Sequence, residues 1–303
     1  KKFGSAGYEE VRWFADYGQE PAAREQAILA AAKALRPTLT FMQLQMPGAV
    51  ELETVRRIRA LSSADSVIVT WCGDIANENR PMDVDWQVPL GRAVDLTLHS
   101  SMTHVRALRA AGCHNAGYLQ IGFDGGEEGQ YRPPRESEIG FSPDTRPDES
   151  FDFDVCFLGS RYGQGDAFAK SYVWKSGEPA HDAKLRDEVV EKMRAAFGAL
   201  FGLFGNGWGP DIQPVPLAKS HEVYWQSRIG LSVSLDNKLE CYSSDRLLRI
   251  LGCGCALLVK RFPMMSVWGL KHEVNCLIFN TADEAAGLAR KYTIGRVSPH
   301  NDE

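Results

Sequence analysis

Three glycine-containing turns follow apolar segments of the sequence, and each carries polar groups that suit anion binding. They are WCGD at 71–74, GSR at 159–161 and GNG at 205–207. Ligands of parallel α/β sheets bind at the carboxyl ends of strands, where helix amino termini present N–H groups to anions. No turn is a G-x-G-x-x-G or a Walker motif, so the spacing supports neither a standard dinucleotide site nor a P-loop. Each turn alone fits a plain strand-to-helix connection, but their recurrence favours one anionic ligand across them.

A fourth candidate is the sequence SSDR at 243–246, where a helix is predicted to begin. The first N–H groups of a helix have no intrahelical partner, and an N-cap alone would explain either serine. Arg246 is more informative, because an arginine in the first turn opposes the helix dipole and favours a compensating anion.

The elements that must position these residues alternate along the chain. Before residue 122 the pattern predicts helices at 21–35, 51–61 and 102–111, and strands at 38–44, 66–71, 94–98 and 117–121. After residue 152 it predicts strands at 153–158, 202–204, 229–234, 255–259 and 276–279, and helices at 183–200, 217–227, 243–251 and 282–291. Near-continuous apolar strands separated by helices indicate parallel sheets covered on both faces.

Charge separates these two α/β bodies. The chain has 303 residues, 44% hydrophobic and 24% charged, with a net charge of −5. Ten acidic and three basic residues fall within 122–154, together with four prolines, which is typical of a linker or surface loop. We therefore predict an amino-terminal, acceptor-side domain at 1–122, an acidic linker with the hinge at 123–152, and a carboxy-terminal domain at 153–303. The predicted fold class is α/β, with two Rossmann-like domains facing each other across a cleft.

Composition excludes several classes of protein. Outside the acidic segment the charges nearly balance, so the sequence lacks the basic footprint of a dedicated DNA-binding protein. It has no apolar run of membrane-spanning length and no signal-peptide core. Seven cysteines without a C-x-x-C predict free thiols, with Cys253 and Cys255 buried, and no zinc cluster. A cytoplasmic location is expected.

One long motif resembles a known family. The sequence SDRLLRILGCGCALLV at 244–259, followed by EVNCLIF at 273–279, resembles the carboxy-terminal domain of group 1 (GT4-like) glycosyltransferases. The similarity is to the branch of spore-maturation CgeB-like proteins. FLGS at 157–160 and LFGNGW at 203–208 look like the first two strand ends of that branch. The resemblance covers about residues 150–290, and WCGD at 71–74 fits it more weakly.

The resemblance implies a GT-B fold and a nucleotide-diphosphate sugar donor, held mainly by the second domain. A UDP-sugar is the first expectation and a GDP-sugar the alternative, with no metal and no further cofactor. Arginine, hydroxyls and helix N–H groups would stabilise the leaving diphosphate in place of a metal ion. The predicted donor-binding residues are Gly159, Ser160, Arg161, Gly205, Asn206, Ser244, Asp245 and Arg246.

Arg249 departs from the family pattern, which has a glutamate at this position that would bind the donor's ribose hydroxyls. Arginine cannot accept those hydrogen bonds. Either Arg249 makes a different donor contact, or it faces solvent or an internal carboxylate and the ribose is held elsewhere.

Two residues of the first domain are predicted to be catalytic. Asp74 follows the predicted strand 66–71, so its carboxylate should emerge at the carboxyl end of that strand, where it could take the acceptor's proton or orient its hydroxyl. The alternative is a cap for the polar segment 75–79. His99 ends the strand 94–98 and is either catalytic or a hydrogen-bonded structural histidine. The remaining histidines have no metal-ligand spacing.

The resemblance predicts sugar transfer to a hydroxyl acceptor, and retention of configuration is implied by the family alone. Relatives of this branch occur in bacteriophages, so a hydroxymethylated pyrimidine in DNA stands beside glycans, proteins and small molecules as the acceptor. A nucleotide-sugar epimerase of the same fold and a non-catalytic sugar-nucleotide binding module are the competing functions.

Overall fold

The computed structural model describes residues 20–45, 47–74, 84–127, 129–142, 146–147, 150–161 and 182–293. These residues form two compact units, one ending at Gln120 and the other beginning at Ile121. The described part of the predicted linker lies on the second unit, where the Tyr131 hydroxyl is 2.8 Å from Ser220 Oγ. How far this segment acts as a linker stays a prediction.

The first unit is a four-stranded parallel sheet with its helices. Its elements are α1 (Pro21–Leu35), β1 (Leu39–Gln43), α2 (Leu52–Leu61), β2 (Val67–Cys72), α3 (Gln87–Ala93), β3 (Leu96–His99), α4 (Met102–Ala110) and β4 (Ala116–Tyr118). The seven predicted elements are confirmed, with ends that differ by three residues at most. Helix α3 was not predicted, because Pro89 and Gly91 interrupt its helical pattern.

The strands of this sheet follow chain order, β1-β2-β3-β4. Because crossovers between parallel strands are right-handed, consecutive order places the connecting helices on one face. The other face leaves Leu39, Phe41, Val67 and Leu96 between 37% and 47% exposed. On the same face Val69 and Trp71 are buried. The cover that the sequence predicted on both faces is therefore partial in the described part of the first unit. Strand order, which decides the helix positions, is not visible in a local pattern.

The second unit is a five-stranded parallel sheet. Its elements are α5 (Glu136–Ile139), β5 (Phe153–Leu158), α6 (Ala183–Phe197), β6 (Phe201–Phe204), α7 (Ser220–Trp225), β7 (Ser227–Ser232), α8 (Asp245–Gly252), β8 (Ala256–Lys260), β9 (Leu277–Phe279) and α9 (Ala282–Thr293). The strand order is β6-β5-β7-β8-β9. The five predicted strands are confirmed within two residues, whereas the predicted helix 217–227 is a short 3-10 turn followed by α7.

Both faces of this second sheet are covered. Val155 and Phe157 of β5 pack in one apolar cluster with residues of α6 and α9, including Met193. Cys156, the residue between them, packs on the opposite face with α7 and α8, including Leu247. Alternation along β5 therefore places successive side chains in two separate cores, as expected for a central parallel strand.

All seven cysteines are free and buried, including the predicted pair Cys253 and Cys255. None of the helices in the described part of the chain combines the length and apolar character needed to span a bilayer.

Candidate functional site

The second sheet contains a reversal of strand order. From β5 the chain passes through α6 to β6 on one side, and from β7 it passes through α8 to β8 on the other. At such a reversal the loops diverge and leave a crevice at the carboxyl ends of the two strands, which is where open α/β sheets bind ligands. The predicted donor-binding residues lie at this end of the sheet. They are Gly159, Ser160 and Arg161 after β5, Gly205 and Asn206 after β6, and Ser244, Asp245 and Arg246 at the start of α8.

The turns after β5 and β6 are held together by their backbones. The Gly159 N–H donates to Phe204 O over 2.8 Å, and the Arg161 N–H donates to Asn206 O over 2.8 Å. Gly205 has φ +140°, and a β-carbon there would lie 2.3 Å from Gly159 O. Only glycine meets both conditions, so this residue sets how closely the two turns approach.

Arg246 joins the ends of β5 and β7. Its Nε donates to Leu158 O over 2.6 Å and its Nη1 donates to Val233 O over 3.2 Å. The guanidinium carbon lies 4.7 Å from the centre of the Phe157 ring. A β-carbon at Gly159 would be 2.6 Å from Arg246 Nη2, so the glycine turn leaves the space that this guanidinium occupies. A cation is therefore fixed at the strand-order reversal.

Helix α8 reaches this position because it packs closely on the sheet. A β-carbon at Gly230 of β7 would lie 2.7 Å from Ile250 Cγ1, so any larger residue would push the helix away. At its amino end the Ser244 N–H donates to Ser234 Oγ over 3.0 Å. The first turn of α8, with Arg246, is thereby anchored to the loop that follows β7.

Arg249 pairs with Asp245, one turn earlier on α8. Its guanidinium also lies 5.1 Å from the centre of the Tyr131 ring. Of the alternatives that the sequence left open, the structure shows the internal carboxylate. No acceptor for ribose hydroxyls is present at position 249, and Arg249 instead balances the negative charge of Asp245 beside Arg246.

Sequence reasoning missed Arg186 of α6. This side chain is 3% exposed and donates from Nη1 to Ser160 O over 3.0 Å and from Nη2 to Val233 O over 2.8 Å. A signal was present in the sequence. Arg186 precedes the buried Val189 and Val190 by three and four residues, so it lies on the apolar stripe of an amphipathic helix, where a charge needs a specific partner.

The first unit brings Asp74 and His99 to one end of its sheet, since Cys72 of β2 is in register with His99 of β3. The N–H groups of Gly73 and Asp74 donate to Gln45 Oε1 over 3.0 and 2.9 Å. Gln45 was also missed, and its signal is an amide directly after the strand predicted at 38–44. Burial raises the pKa of the neighbouring Cys72 to about 12, so this thiol stays protonated at neutral pH and is a poor nucleophile.

His99 is fully buried. Its Nδ1 accepts a hydrogen bond from the Ser101 N–H over 3.1 Å, and its ring stacks on His104 with 4.2 Å between ring centres. Burial, and secondarily the charge of His104, holds the pKa of His99 well below its ordinary value. These contacts are those of a hydrogen-bonded structural histidine, which was the alternative interpretation. The catalytic role of His99 stays a prediction.

Within the described residues, no group of three or more His, Cys, Asp or Glu side chains could hold a metal ion. This finding leaves the predicted independence of metal as a prediction.

Residues 186–296 match a family model described as glycosyl transferase-like. The matched stretch begins at Arg186 and contains the whole of α8, including Arg246. No curated protein matches the sequence. The similarity therefore concerns the second unit from Arg186 onward, and β5 with its glycine turn lies outside the match.

Two solved structures share the fold of the chain. HepE from Anabaena, solved in complex with UDP and glucose, is 11% identical with a TM-score of 0.52, and the match covers 92% of this chain and 74% of that chain. TarM is 9% identical with a TM-score of 0.51, and the match covers 89% of this chain and 55% of that chain. At such identities the likeness concerns the fold alone. The predicted α/β fold class is confirmed, since the chain has the two parallel α/β units of GT-B glycosyltransferases. The predicted cleft between the units stays a prediction.

Proposed function

We propose that the protein is a glycosyltransferase that moves a sugar from a nucleotide-diphosphate sugar to a hydroxyl acceptor. The observation that carries the proposal is Arg246, a cation fixed at the strand-order reversal of the unit that matches glycosyl transferases. The SDR motif at 244–246 and the glycine turns support the finer assignment to group 1 glycosyltransferases and their CgeB-like branch.

In the proposed reaction the donor diphosphate lies against Arg246, Ser244 and the turn at 159–160. Negative charge accumulates on the diphosphate as the glycosidic bond breaks. A preorganised arginine stabilises that charge more in the transition state than in the bound donor, and this lowers the barrier without a metal ion. Gly205 and Asn206 contribute indirectly, since they hold the β5 turn in place.

A UDP-sugar is the proposed donor, because HepE, which shares the fold, was solved with UDP and glucose.

Asp74 is proposed to take the proton of the acceptor hydroxyl or to orient it, and His99 is the next residue to test. The acceptor class is a hydroxyl compound, among them glycans, proteins, small molecules and a hydroxymethylated DNA base.

Thermal unfolding against UDP, GDP and their sugars tests the donor site. A ligand present at 100 times its dissociation constant should raise the free energy of unfolding by about 2.7 kcal/mol.

Arg246→Ala should weaken UDP binding at least about tenfold, since charge-assisted hydrogen bonds contribute roughly 1.5–3 kcal/mol. The control Arg290→Ala changes an exposed arginine of α9 and should leave affinity unchanged. If no nucleotide raises the melting temperature, the proposal is wrong.

The pairing of Arg249 with Asp245 favours one second candidate, a non-catalytic sugar-nucleotide binding module. Without a carboxylate at position 249 the ribose must be held elsewhere, which would alter the placement of the donor. Product analysis of incubations with UDP-glucose separates the candidates. Hydrolysis or transfer supports the enzyme, binding without any product supports the module, and isomerised donor without acceptor indicates an epimerase.

A further inference from the structure

The amino-terminal turn of α6 contacts the loops that follow both β5 and β7. The loop after β5 is bound by Arg186, through Ser160 O, and the Arg161 side chain pairs with Asp187 over 2.9 Å. The loop after β7 is bound by Arg186, through Val233 O, and by Asp182, whose Oδ2 accepts from the Asn237 N–H over 2.7 Å. This single turn therefore sets the separation of the two loops at the strand-order reversal.

Arg186 and Arg246 share their surroundings. Both donate to Val233 O, and both guanidinium groups lie over the Phe157 ring, at 5.8 and 4.7 Å from its centre. Arg246 is half-buried, whereas Arg186 is 3% exposed. The more exposed arginine is placed to meet a ligand, and the buried one holds the carbonyl that orients it.

We propose that Arg186 is a positioning residue for the anion site: it ties the β5 and β7 loops together and thereby fixes the orientation of Arg246. This inference rests on the proposed function of that site. The planar fork of arginine can donate to two carbonyls at once in fixed directions, whereas a lysine ammonium is a point charge on a flexible chain. Position 186 therefore requires arginine and not merely a positive charge.

The test measures UDP affinity of the full chain by calorimetry for the wild type, Arg186→Met, Arg246→Ala and the double variant. Arg186→Met should weaken binding about tenfold, comparable to the loss of one hydrogen bond to a charged group. In the Arg246→Ala background the same change should have less than about a twofold effect, because Arg186 acts through Arg246. A residue that only stabilises the fold would lower the melting temperature and leave this coupling at zero.

Two further variants complete the experiment. Arg194→Met is the matched control, since Arg194 lies on the exposed side of α6 and also donates to a backbone carbonyl, Trp208 O. It should leave UDP affinity unchanged. If Arg186→Met does not fold, Arg186→Lys replaces it, with an expected loss of about threefold because one of the two carbonyl bonds remains.

The outcomes separate this inference from the proposed function. A wild type that binds no nucleoside diphosphate overturns the proposed function and, with it, the basis of the inference. A wild type that binds UDP, with weakened binding in Arg246→Ala but unchanged affinity in the Arg186 variant, overturns the inference alone. Losses that add fully in the double variant also overturn it, because the two arginines would then act independently.

Discussion

In the first unit the strands follow chain order across the sheet, whereas in the second unit β5 lies between β6 and β7. Both sheets are parallel and are built from the same alternation of strands and helices. Consecutive order places the crossover helices on one face and creates no reversal, while the order of the second unit covers both faces and creates one. The arginines of the candidate site converge at that reversal. Strand order, more than local sequence, decides which sheet contains such a reversal.

The largest expected contrast concerns the faces of the two sheets. Phe157 of β5 is fully buried, and Phe157→Ala should lower the free energy of unfolding by about 3–5 kcal/mol. Phe41 of β1 is 47% exposed, and Phe41→Ala should cost about 1 kcal/mol or less. Urea unfolding of both variants measures the difference. Equal costs would mean that the second face of the first sheet is covered as fully as the sheets of the second unit.

The next contrast concerns what each unit contributes to the proposed reaction. Asp74→Asn keeps the size of the side chain and its capacity to cap, so UDP affinity and melting temperature should persist. Turnover should fall at least about a hundredfold, within the range of general-base catalysis. Asp65→Asn, an exposed position before β2, is the matched control and should keep the parent rate. Arg246→Ala should show the opposite pattern, with weakened binding. Sugar transfer near the parent rate in Asp74→Asn would remove Asp74 from the mechanism.

A third prediction tests how tightly the second unit is built at its strand ends. Gly205 and Gly209 have similar backbone angles, φ +140° and +135°, but only at Gly205 would an added β-carbon have atoms within 4 Å, the nearest being Gly159 O. Alanine at either position carries the cost of a positive φ, and at Gly205 it also meets the β5 turn. Gly205→Ala should therefore be less stable than Gly209→Ala by about 1–3 kcal/mol and should bind UDP more weakly. Equal stabilities would show that the two turns separate without cost.

The smallest expected effect is an acid sensitivity of the first unit. The pKa of His99 is lowered in the folded protein, so below about pH 6.5 the unfolded chain binds a proton that the folded unit does not. Stability should fall as the pH drops from about 6.5 towards the folded pKa, by up to about 1.4 kcal/mol per pH unit. Hydrogen exchange of the β2 and β3 amides at pH 7.5 and 5.5 measures this loss of stability in the first unit. The β5 and β7 amides of the second unit are the reference.

His99→Phe keeps a flat ring against His104 and removes the titration, so the acid dependence of the first unit should decrease. An unchanged dependence in this variant would assign the proton to another group.

Local pattern predicted most of the fold. Every predicted strand and helix in the described residues is present, since hydrophobic periodicity and glycine punctuation are properties of short segments. Two elements differ in detail: α3, which contains Pro89 and Gly91, was not predicted, and the helix predicted at 217–227 is a 3-10 turn followed by α7. The candidate turns after β5 and β6 were found in the same way, because residues that follow parallel strands lie at one end of a sheet. Ser244, Asp245 and Arg246 were predicted from a helix start and from the family resemblance.

The amino-acid sequence by itself determined the elements, the glycine turns and the position of Arg246 at the start of a helix, because each depends on residues close together in the chain. The tertiary structure alone decided the order of the strands, the burial of His99 and the place of Arg186 between two loops. These features depend on contacts between residues far apart in sequence or on how a side chain packs. Such contacts are set by the free energy of the whole fold and leave only a weak local trace, such as one arginine on an apolar stripe.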